Sequence, residues 1–276
     1  MNNIGINQKI LTFHELHKSG CFIIPNPWDI GTAKYLERQG FKALATTSAG
    51  FAFTKGLPDS VSRDVMLAHI KEICSATSLP VNADFQNGYA NEPDKVAENV
   101  KLCINTGVSG LSIEDATGDK NNPLYEKELA VERIRAARQA IDSAGIPVVL
   151  TARCEAYLVG AEEPFKVSID RLTAFADAGA DCLYAPRITD LNVIEEIVKA
   201  VAPKPVNVLV TAPGEGLTLE RLSELGVRRI SVGATLARVA WKGFMQAVQE
   251  ISKKGTFNTL SNSASFDELN SIFEEK

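Results

Sequence analysis

Acidic and basic side chains stand at the ends of several short apolar runs in this chain. Asp84 lies at the end of LPVNADF, Glu114 at the end of GLSIED and Arg153 at the end of IPVVLTAR. Carboxylates suit a hard divalent cation such as Mg²⁺, and arginine can bind a substrate carboxylate through two parallel hydrogen bonds. A cation and an arginine facing one small pocket can stabilise an enolate. The alternative is that one of these acids forms a salt bridge with Arg153 and no metal binds.

These residues sit in a regular alternation of apolar runs and amphipathic stretches. Short runs that are continuously apolar, as in strands buried on both faces, predict eight strands, at 21–26, 42–48, 79–85, 110–115, 146–153, 180–186, 204–211 and 228–233. Apolar residues at three-to-four spacing predict the helices between them, at 30–40, 59–77, 94–107, 131–145, 162–179, 190–202 and 219–226. Asp59 is placed to cap the second of these helices.

Eight successive strand–helix units predict an α/β fold, a (β/α)8 TIM barrel with extra C-terminal helices. A doubly wound open sheet is the alternative, but no GxGxxG turn follows the first strand. Residues 1–276 then form a single barrel domain, with 234–276 as a C-terminal helical extension. The stretch 234–255 carries large apolar residues on more than one side, so it packs either on its own chain or on another subunit.

Composition and charge argue against a nucleic-acid-binding, membrane-spanning or exported protein. The 29 Lys and Arg against 34 Asp and Glu give a net charge of −5, which offers no global attraction for nucleic acid. No apolar run approaches the ~18 to 20 residues of a membrane span, and the first residues lack the apolar centre of a signal peptide. The five cysteines form no CxxC pair. We therefore expect a cytoplasmic protein with reduced thiols, whose partner is a small molecule rather than nucleic acid or a membrane.

In a TIM barrel the catalytic groups lie at the carboxyl ends of the strands. The residues expected to meet there, besides Asp84, Glu114 and Arg153, are Ser48, Ala49, Gly50, Asp59, Asn82 and Asn207. Tyr89, Glu155, Tyr157 and Arg187 are further candidates for the rim of the pocket, with structural roles equally open.

Several segments, taken in their order along the chain, resemble the isocitrate lyase/phosphoenolpyruvate mutase superfamily. The resemblance covers nearly the whole length of this chain. The segments are NPWDIGTAKYLERQGFKALATTSAG, GLPD, PVNADFQNGYA, GVSGLSIEDATG, IPVVLTARCEAY, GADCLYAP and PVNVLV. The resemblance implies a Mg²⁺-dependent barrel that makes or breaks C–C or P–C bonds beside a 2-oxo acid or its enolate. It also implies a homo-oligomer, a dimer or a tetramer, in which the terminal helices are swapped between subunits.

Carried over residue by residue, the resemblance assigns roles to most of the candidates. Asp84 matches the main metal carboxylate, and Asp59 and Glu114 match outer groups of the metal site. Arg153 matches the arginine that steadies the oxyanion and the carboxylate. Ser48, Ala49 and Gly50 match the segment whose backbone N–H groups and hydroxyl hold the substrate's carboxylate and oxo oxygen.

Two departures from the family pattern bear on activity. Asn82 replaces the first aspartate of a D-x-D metal pair, so the site has one negative charge fewer and metal affinity is expected to fall. The K-K/R-C-G-H segment of the isocitrate-type lyases, whose cysteine acts as general acid–base, is absent from the stretch after Glu114. Lys120 and Asn122 fall in the corresponding loop, either as catalytic groups of the mutase and hydrolase type or as ordinary surface residues.

These features favour cleavage of a small 2-oxo acid through a pyruvate enolate. Oxaloacetate decarboxylation is the first choice, because CO₂ leaves without a general acid in the first step. Phosphonopyruvate hydrolysis or phosphoryl migration comes next, and a methylisocitrate-type lyase third. The rival from another class is a barrel that binds an oxo acid without turning it over, which Asn82 and the altered loop favour.

Overall fold

The computed structural model describes residues 3–274 and confirms the predicted barrel. The eight parallel strands are β1 Phe22–Ile24, β2 Leu44–Ala45, β3 Val81–Asp84, β4 Gly110–Glu114, β5 Val149–Arg153, β6 Cys182–Tyr184, β7 Val206–Leu209 and β8 Arg229–Ser231. They are hydrogen-bonded in the order β1-β8-β7-β6-β5-β4-β3-β2. A backbone hydrogen bond of 3.0 Å from Ala45 N to Pro25 O joins the two ends of this sheet, so the barrel is nearly closed.

The helices that follow the strands cover the outside of the barrel in the predicted places, whereas α1 lies at its amino end. They are α1 Asn3–Lys18, α2 Ile30–Arg38, α3 Ser48–Thr54, α4 Arg63–Ala76, α5 Pro93–Ile104, α6 Lys127–Ala144, α7 Ala156–Val159, α8 Pro164–Asp177, α9 Leu191–Val201, α10 Leu219–Glu224, α11 Thr235–Lys254 and α12 Phe266–Phe273. The short helices α3 and α7 were not predicted. The predicted cap at Asp59 is wrong, because α4 begins after Ser62 and leaves Asp59 in the preceding loop.

Side chains alternate between the helices and the barrel interior along each strand. On β5, Leu150 and Ala152 belong to the large core between the strands and the helices. Val149 belongs to a smaller cluster inside the barrel, and Arg153 lines a cavity at the carboxyl ends of the strands. The inward-facing side chains of β5 therefore change from apolar at its amino end to polar and then charged at its carboxyl end.

Helix α1 closes the amino end of the barrel from inside. Phe13 is fully buried against inward-facing residues such as Phe22 and Val149. Gly110 leaves the space that Phe13 needs, because a Cβ there would lie 2.7 Å from the Phe13 ring. The ring of His17 lies edge-on to Phe13 and Phe22, with its Nδ1 atom 2.7 Å from the Phe13 carbonyl oxygen.

His17 is expected to make the protein less stable in acid. Burial, and then the nearby positive charge of Arg229, lower its pKa from 6.5 to about 3. Between these two pH values the unfolded chain binds a proton that the folded chain does not, so stability falls as the pH falls below about 6.5. We expect the loss of unfolding free energy between pH 7 and pH 5 to be about 2 kcal/mol smaller in His17→Gln.

Urea unfolding at the two pH values measures this difference. His14→Gln is the matched control, since His14 lies on the same helix with its ring accessible. An unchanged pH dependence in the His17 variant would mean that His17 takes up a proton in the folded state.

The C-terminal extension forms the two predicted helices, joined by a 3-10 helix at Asn258–Asn262. Helix α11 contacts α3, while α12 packs against α2 of the same chain. In that contact the Arg38 side chain donates hydrogen bonds to the backbone oxygens of Ser271 and Glu274. Among the described helices, none has the length and apolar character that a membrane crossing requires. Exchange of these helices between subunits stays a prediction.

Candidate active site

A cavity of about 220 Å³ opens at the carboxyl ends of the strands, where the predicted polar residues were expected to meet. Eight of the nine predicted site residues line it: Ser48, Ala49, Asp59, Asn82, Asp84, Glu114, Arg153 and Asn207. The exception is Gly50, which is buried in the first turn of α3. A Cβ on Gly50 would lie 2.6 Å from the Thr47 side chain, so close packing requires a glycine here, and its contact with a ligand stays a prediction.

Arg153 lies at the centre of the acidic residues. Its Nη1 atom lies 3.0 Å from Asp84 Oδ1 and 3.2 Å from Glu114 Oε2, and its Nε donates to Glu155 Oε1 at 2.8 Å. The guanidinium also lies 5.0 Å from the centre of the Tyr184 ring. The salt bridge that the sequence left open as an alternative is therefore present, and Arg153 forms it with two cavity acids at once. Glu155 is a third acidic partner, which the sequence did not predict, and it also holds the Arg153 side chain in place.

The acids around Arg153 outnumber the cations. Burial, together with the charges of Glu155 and Asp84, raises the pKa of Glu114 to about 8 despite the nearby guanidinium. Burial, and then Asp84, also raise the pKa of Asp59 at the cavity mouth. One arginine does not compensate this group of carboxylates, so a further positive charge would be stabilised among them.

Ser48 is held by Asp84 rather than left open. Its backbone N and its Oγ both donate to Asp84 Oδ2, each at 2.8 Å. Thr46 Oγ1 accepts from the Asp84 backbone N at 2.9 Å, which fixes β3 against β2. Two of the donors that the family resemblance gives to the substrate, the backbone N–H and the hydroxyl of Ser48, are thus directed at Asp84 in this structure.

Asn82 is a neutral residue among those that line the same cavity. Its side chain is buried, and its Oδ1 atom has no hydrogen-bond partner. Its Nδ2 donates to the Ala83 carbonyl at 3.2 Å. A buried acceptor without a partner costs free energy, and Oδ1 is enclosed beside Gly110 rather than open to the cavity.

The donor set fits Mg²⁺ held by few protein groups. Within residues 3–274, no three His, Cys, Asp or Glu side chains lie close enough together to bind a metal ion by themselves. Mg²⁺ commonly takes only one or two carboxylates, with water and substrate oxygens completing its shell. The excess of acids around Arg153 and the raised pKa of Glu114 meet that requirement.

Behind the cavity, Asp115 connects three elements. It accepts hydrogen bonds from the Glu155 backbone N at 2.8 Å and from Arg171 Nη1 at 3.0 Å. Arg171 also donates to the Tyr125 carbonyl at 2.8 Å. This network joins the end of β4, the start of α7 and helix α8 to the loop that follows β4, and it holds Glu155 in place beside Arg153.

The remaining candidates for the pocket rim and the loop after β4 do not line the cavity. Tyr89 is packed against the core, and its unpartnered hydroxyl has a pKa raised by burial and by Asp84 and Glu114. Tyr157 and Arg187 do not line the cavity. Lys120 lines a separate shallow depression beside Gly118 and Asp119, in a loop closed by the bridge from Ala116 to Leu124.

Sequence reasoning missed Arg229, which forms part of the cavity floor. Its Nε donates to Asn207 Oδ1 at 2.8 Å, and Asn207 Nδ2 in turn donates to Ser231 Oγ at 2.9 Å. Asn207 therefore lies in the cavity as predicted, with its amide used to hold its neighbours. The available signal was the alternation of Arg229 and Ser231 in RRISVG, which places both on the same face of a strand.

Comparison with known proteins identifies the family. The family described as phosphoenolpyruvate phosphomutase matches residues 13–252. The chain belongs to the phosphoenolpyruvate phosphomutase family. It is 30% identical to 2-methylisocitrate lyase of Salmonella typhimurium over 258 residues, 87% of this chain and 85% of that enzyme.

Solved structures agree with this assignment. A Burkholderia cenocepacia protein provisionally assigned as a lyase or mutase is 46% identical, with a TM-score of 0.94, over 99% of this chain and 98% of that one. Phosphonopyruvate hydrolase, solved with oxalate and Mg²⁺, shares the fold at 23% identity and a TM-score of 0.82, over 97% and 94% of the two chains. The phosphoenolpyruvate phosphomutase family thus includes lyases and mutases, and this chain is a member of that enzyme class.

Proposed function

We propose that this protein is a cytoplasmic, Mg²⁺-dependent enzyme that cleaves a C–C bond of a small 2-oxo acid through a pyruvate enolate, with oxaloacetate decarboxylation as the first choice. The observation that carries the proposal is Arg153, fixed by Asp84, Glu114 and Glu155 at the wall of a cavity sized for a small acid. All five cysteines are free, as expected for reduced thiols.

Arg153 is suited to an oxygen on which negative charge develops. Cleavage beside a carbonyl leaves an enolate, and a guanidinium already held in place needs little reorganisation to stabilise it. The three acids orient its planar fork, so the positive charge does not have to be positioned during the reaction. When bound, Mg²⁺ would supply further positive charge beside the same oxygen. Asp84 and Glu114 would hold it, with Asp59 and Asn82 acting through metal-bound water.

The lining of the cavity favours decarboxylation over the isocitrate-type lyase reaction, which uses a cysteine as general acid–base. Neither His nor Cys is among the residues that line it. Loss of CO₂ requires no general acid in the bond-breaking step, because the electron pair moves onto the oxo oxygen. Protonation of the released enolate can follow from water.

Other activities of the family use the same arrangement. A pyruvate enolate takes part in phosphonopyruvate hydrolysis, in phosphoryl migration between phosphoenolpyruvate and phosphonopyruvate, and in methylisocitrate cleavage. The substrates of these reactions are therefore tested together with oxaloacetate. A barrel that binds an oxo acid without turnover is favoured by the neutral Asn82, in place of a metal-binding aspartate.

Pyruvate release separates these functions. The purified protein is incubated with oxaloacetate, phosphonopyruvate or methylisocitrate, with Mg²⁺ or with EDTA, and pyruvate is measured by a coupled assay. We expect release from oxaloacetate that is lost with EDTA and in the double variant Asp84→Asn/Glu114→Gln. The matched control is Asp142→Asn/Glu98→Gln, which changes exposed helix residues. Saturable binding with no pyruvate from any substrate, and no phosphoenolpyruvate formed from phosphonopyruvate, would establish the binder instead.

Asn82→Asp is expected to tighten Mg²⁺ binding by at least ~10-fold, equivalent to about 1.4 kcal/mol. The added carboxylate restores a negative charge beside the acids that would hold the ion, and affinity for hard cations rises with ligand charge. Calorimetric titration of Mg²⁺ measures the change, and Asn105→Asp on the barrel exterior is the control. Equal affinity in wild type and Asn82→Asp would place the ion elsewhere.

We also propose that the exposed face of α11 packs against a second copy of this chain. Val239, Phe244 and Met245 are 65%, 60% and 49% exposed, and Phe266 of α12 is 86% exposed. Monomers rarely expose an apolar surface of this extent. The family resemblance, with its swapped terminal helices, names a second copy as the occupant.

Phe244→Glu is expected to shift the protein from a dimer or tetramer toward its 29.8 kDa monomer. A charge in the apolar contact must be desolvated without a partner. Light scattering after gel filtration measures the mass, and Leu219→Glu on α10 is the control at a comparably exposed leucine. A wild-type mass equal to that of the monomer would contradict the proposal.

A further inference from the structure

Tyr184 is a residue of the cavity wall with an ionisable hydroxyl. It ends β6, where Cys182 belongs to the cluster inside the barrel and Leu183 to the large core outside it. Because side chains alternate along a strand, Tyr184 points to the barrel interior as Cys182 does. It lines the cavity and is 8% exposed. The Tyr184 ring therefore forms part of the wall around a ligand bound in the cavity.

Tyr184 stands beside Arg153 at the same level of the barrel. The two residues are paired in the register of β5 and β6, and Asn207 of β7 is the partner of Tyr184 on its other side. The central carbon of the Arg153 guanidinium lies 5.0 Å from the centre of the Tyr184 ring. A ligand bound through an oxygen at Arg153 thus has this phenol as a neighbour on the adjacent strand.

The hydroxyl of Tyr184 carries its proton at neutral pH. Burial raises the pKa of Tyr184 to about 12, while the positive charge of Arg153 and the Ser231 hydroxyl act in the opposite direction. Ser231 Oγ accepts a hydrogen bond from Asn207 Nδ2 at 2.9 Å, so its own O–H remains available to a negative oxygen. Arg153 and Ser231 would therefore stabilise the phenolate that Tyr184 becomes when it gives up its proton.

The other acidic groups of the cavity are less suited to give a proton. Carboxylates bind a cation in their ionised form, so Asp84 and Glu114 would hold no proton once the ion is bound. Among the described residues, Asp59 forms no ion pair with Arg153 and lies at the cavity mouth. Neither His nor Cys is in the lining, and its serine and threonine hydroxyls are much weaker acids than a phenol. Tyr184 is thus the acid beside Arg153 that keeps its proton.

We propose that Tyr184 is a catalytic acid that protonates the carbon of the enolate after bond cleavage, so that the protein releases pyruvate rather than its enol. This rests on the proposed function and supplies the step that follows cleavage. The Tyr184 O–H bond breaks, and a C–H bond forms with the electron pair of the enolate double bond. The electron pair of the O–H bond stays on the phenol oxygen. The phenolate then takes a proton from water, and the hydroxide that remains combines with the released CO₂ as bicarbonate.

Exchange of the methyl protons of pyruvate in D₂O tests this step in reverse, without cleavage of a C–C bond. Proton NMR follows the loss of the methyl signal with wild type, Tyr184→Phe and Tyr35→Phe, each with Mg²⁺ and corrected for the exchange that Mg²⁺ alone causes. Phenylalanine keeps the ring beside Arg153, and Tyr35 is an exposed tyrosine of α2. We expect exchange by wild type and Tyr35→Phe at similar rates, and a loss of ~100-fold or more in Tyr184→Phe.

Oxalate binding, measured by calorimetry, establishes that the site of Tyr184→Phe is intact. Oxalate is a planar mimic of the enolate without a carbon to protonate, so its affinity is expected to be similar in both proteins. A loss of oxalate affinity as large as the loss of exchange would overturn the proposal, because the hydroxyl would then bind the ligand instead of transferring a proton.

The failure of this proposal can be distinguished from the failure of the proposed function. Equal exchange in wild type and Tyr184→Phe would overturn the role of Tyr184 and leave the proposed function standing. A wild type that releases pyruvate from oxaloacetate but exchanges no methyl protons would do the same, since protonation would then occur in solution. A wild type that neither exchanges pyruvate protons nor forms product from any of the substrates would remove the proposed function and the role of Tyr184 together.

Discussion

Replacing Arg153 with lysine is expected to lower kcat/KM for pyruvate release by about 10²- to 10³-fold, the range for loss of one donor to a developing oxyanion. Lysine keeps the positive charge, but a single ammonium on a flexible stem cannot hold Asp84, Glu114 and Glu155 together as the guanidinium does. The charge that remains would therefore be misplaced. Most of the loss is expected in kcat, because the interaction strengthens as the enolate forms.

Steady-state kinetics of wild type, Arg153→Lys and Arg187→Lys test this expectation. Arg187 is a suitable control because it follows the neighbouring strand, is exposed and does not line the cavity. Circular dichroism establishes that the Arg153 variant is folded. A change of less than about threefold in kcat/KM would show that the oxyanion is stabilised by another group.

Replacing Asp115 with alanine is expected to lower the free energy of unfolding by about 3–5 kcal/mol. Asp115 is 2% exposed and is the carboxylate partner of the buried Arg171. Its loss leaves that guanidinium without a counter-charge and frees the backbone N of Glu155. Because Glu155 orients Arg153, turnover is expected to fall as well.

Urea unfolding followed by circular dichroism measures the change in stability. Asp119→Ala is the matched control in the same loop, where the carboxylate is exposed and accepts from the Asn121 backbone N. In the double variant Asp115→Ala/Arg171→Met the cost is expected to be less than the sum of the single variants, since both remove one interaction. Additive costs would mean that the two side chains act independently.

The barrel could be predicted from sequence because its strands are buried on both faces. Runs such as IPVVLTAR are continuously apolar and recur between amphipathic helices, and this repetition has few structural solutions. Helix α3 was missed because SAGFAFT is short, contains a glycine and shows no amphipathic period. Ser48 was therefore assigned to the end of a strand, whereas it begins a helix.

The composition of the site was predicted better than its contacts. Strand ends converge in a barrel, so the meeting of Asp84, Glu114 and Arg153 followed from the fold. Which donor serves which acceptor depends on side-chain conformations that spacing does not specify. Arg229 was overlooked because its significance depends on Asn207, Thr151 and His17, which come from three distant parts of the chain.

A crystal structure of the protein soaked with Mg²⁺ and oxalate, a planar mimic of the pyruvate enolate, tests the central claim most directly. We predict electron density for oxalate inside the cavity beside Arg153, and for a cation beside Asp84 and Glu114. Oxalate bound outside this cavity, or a cavity that stays free of both at saturating concentrations, would contradict the account.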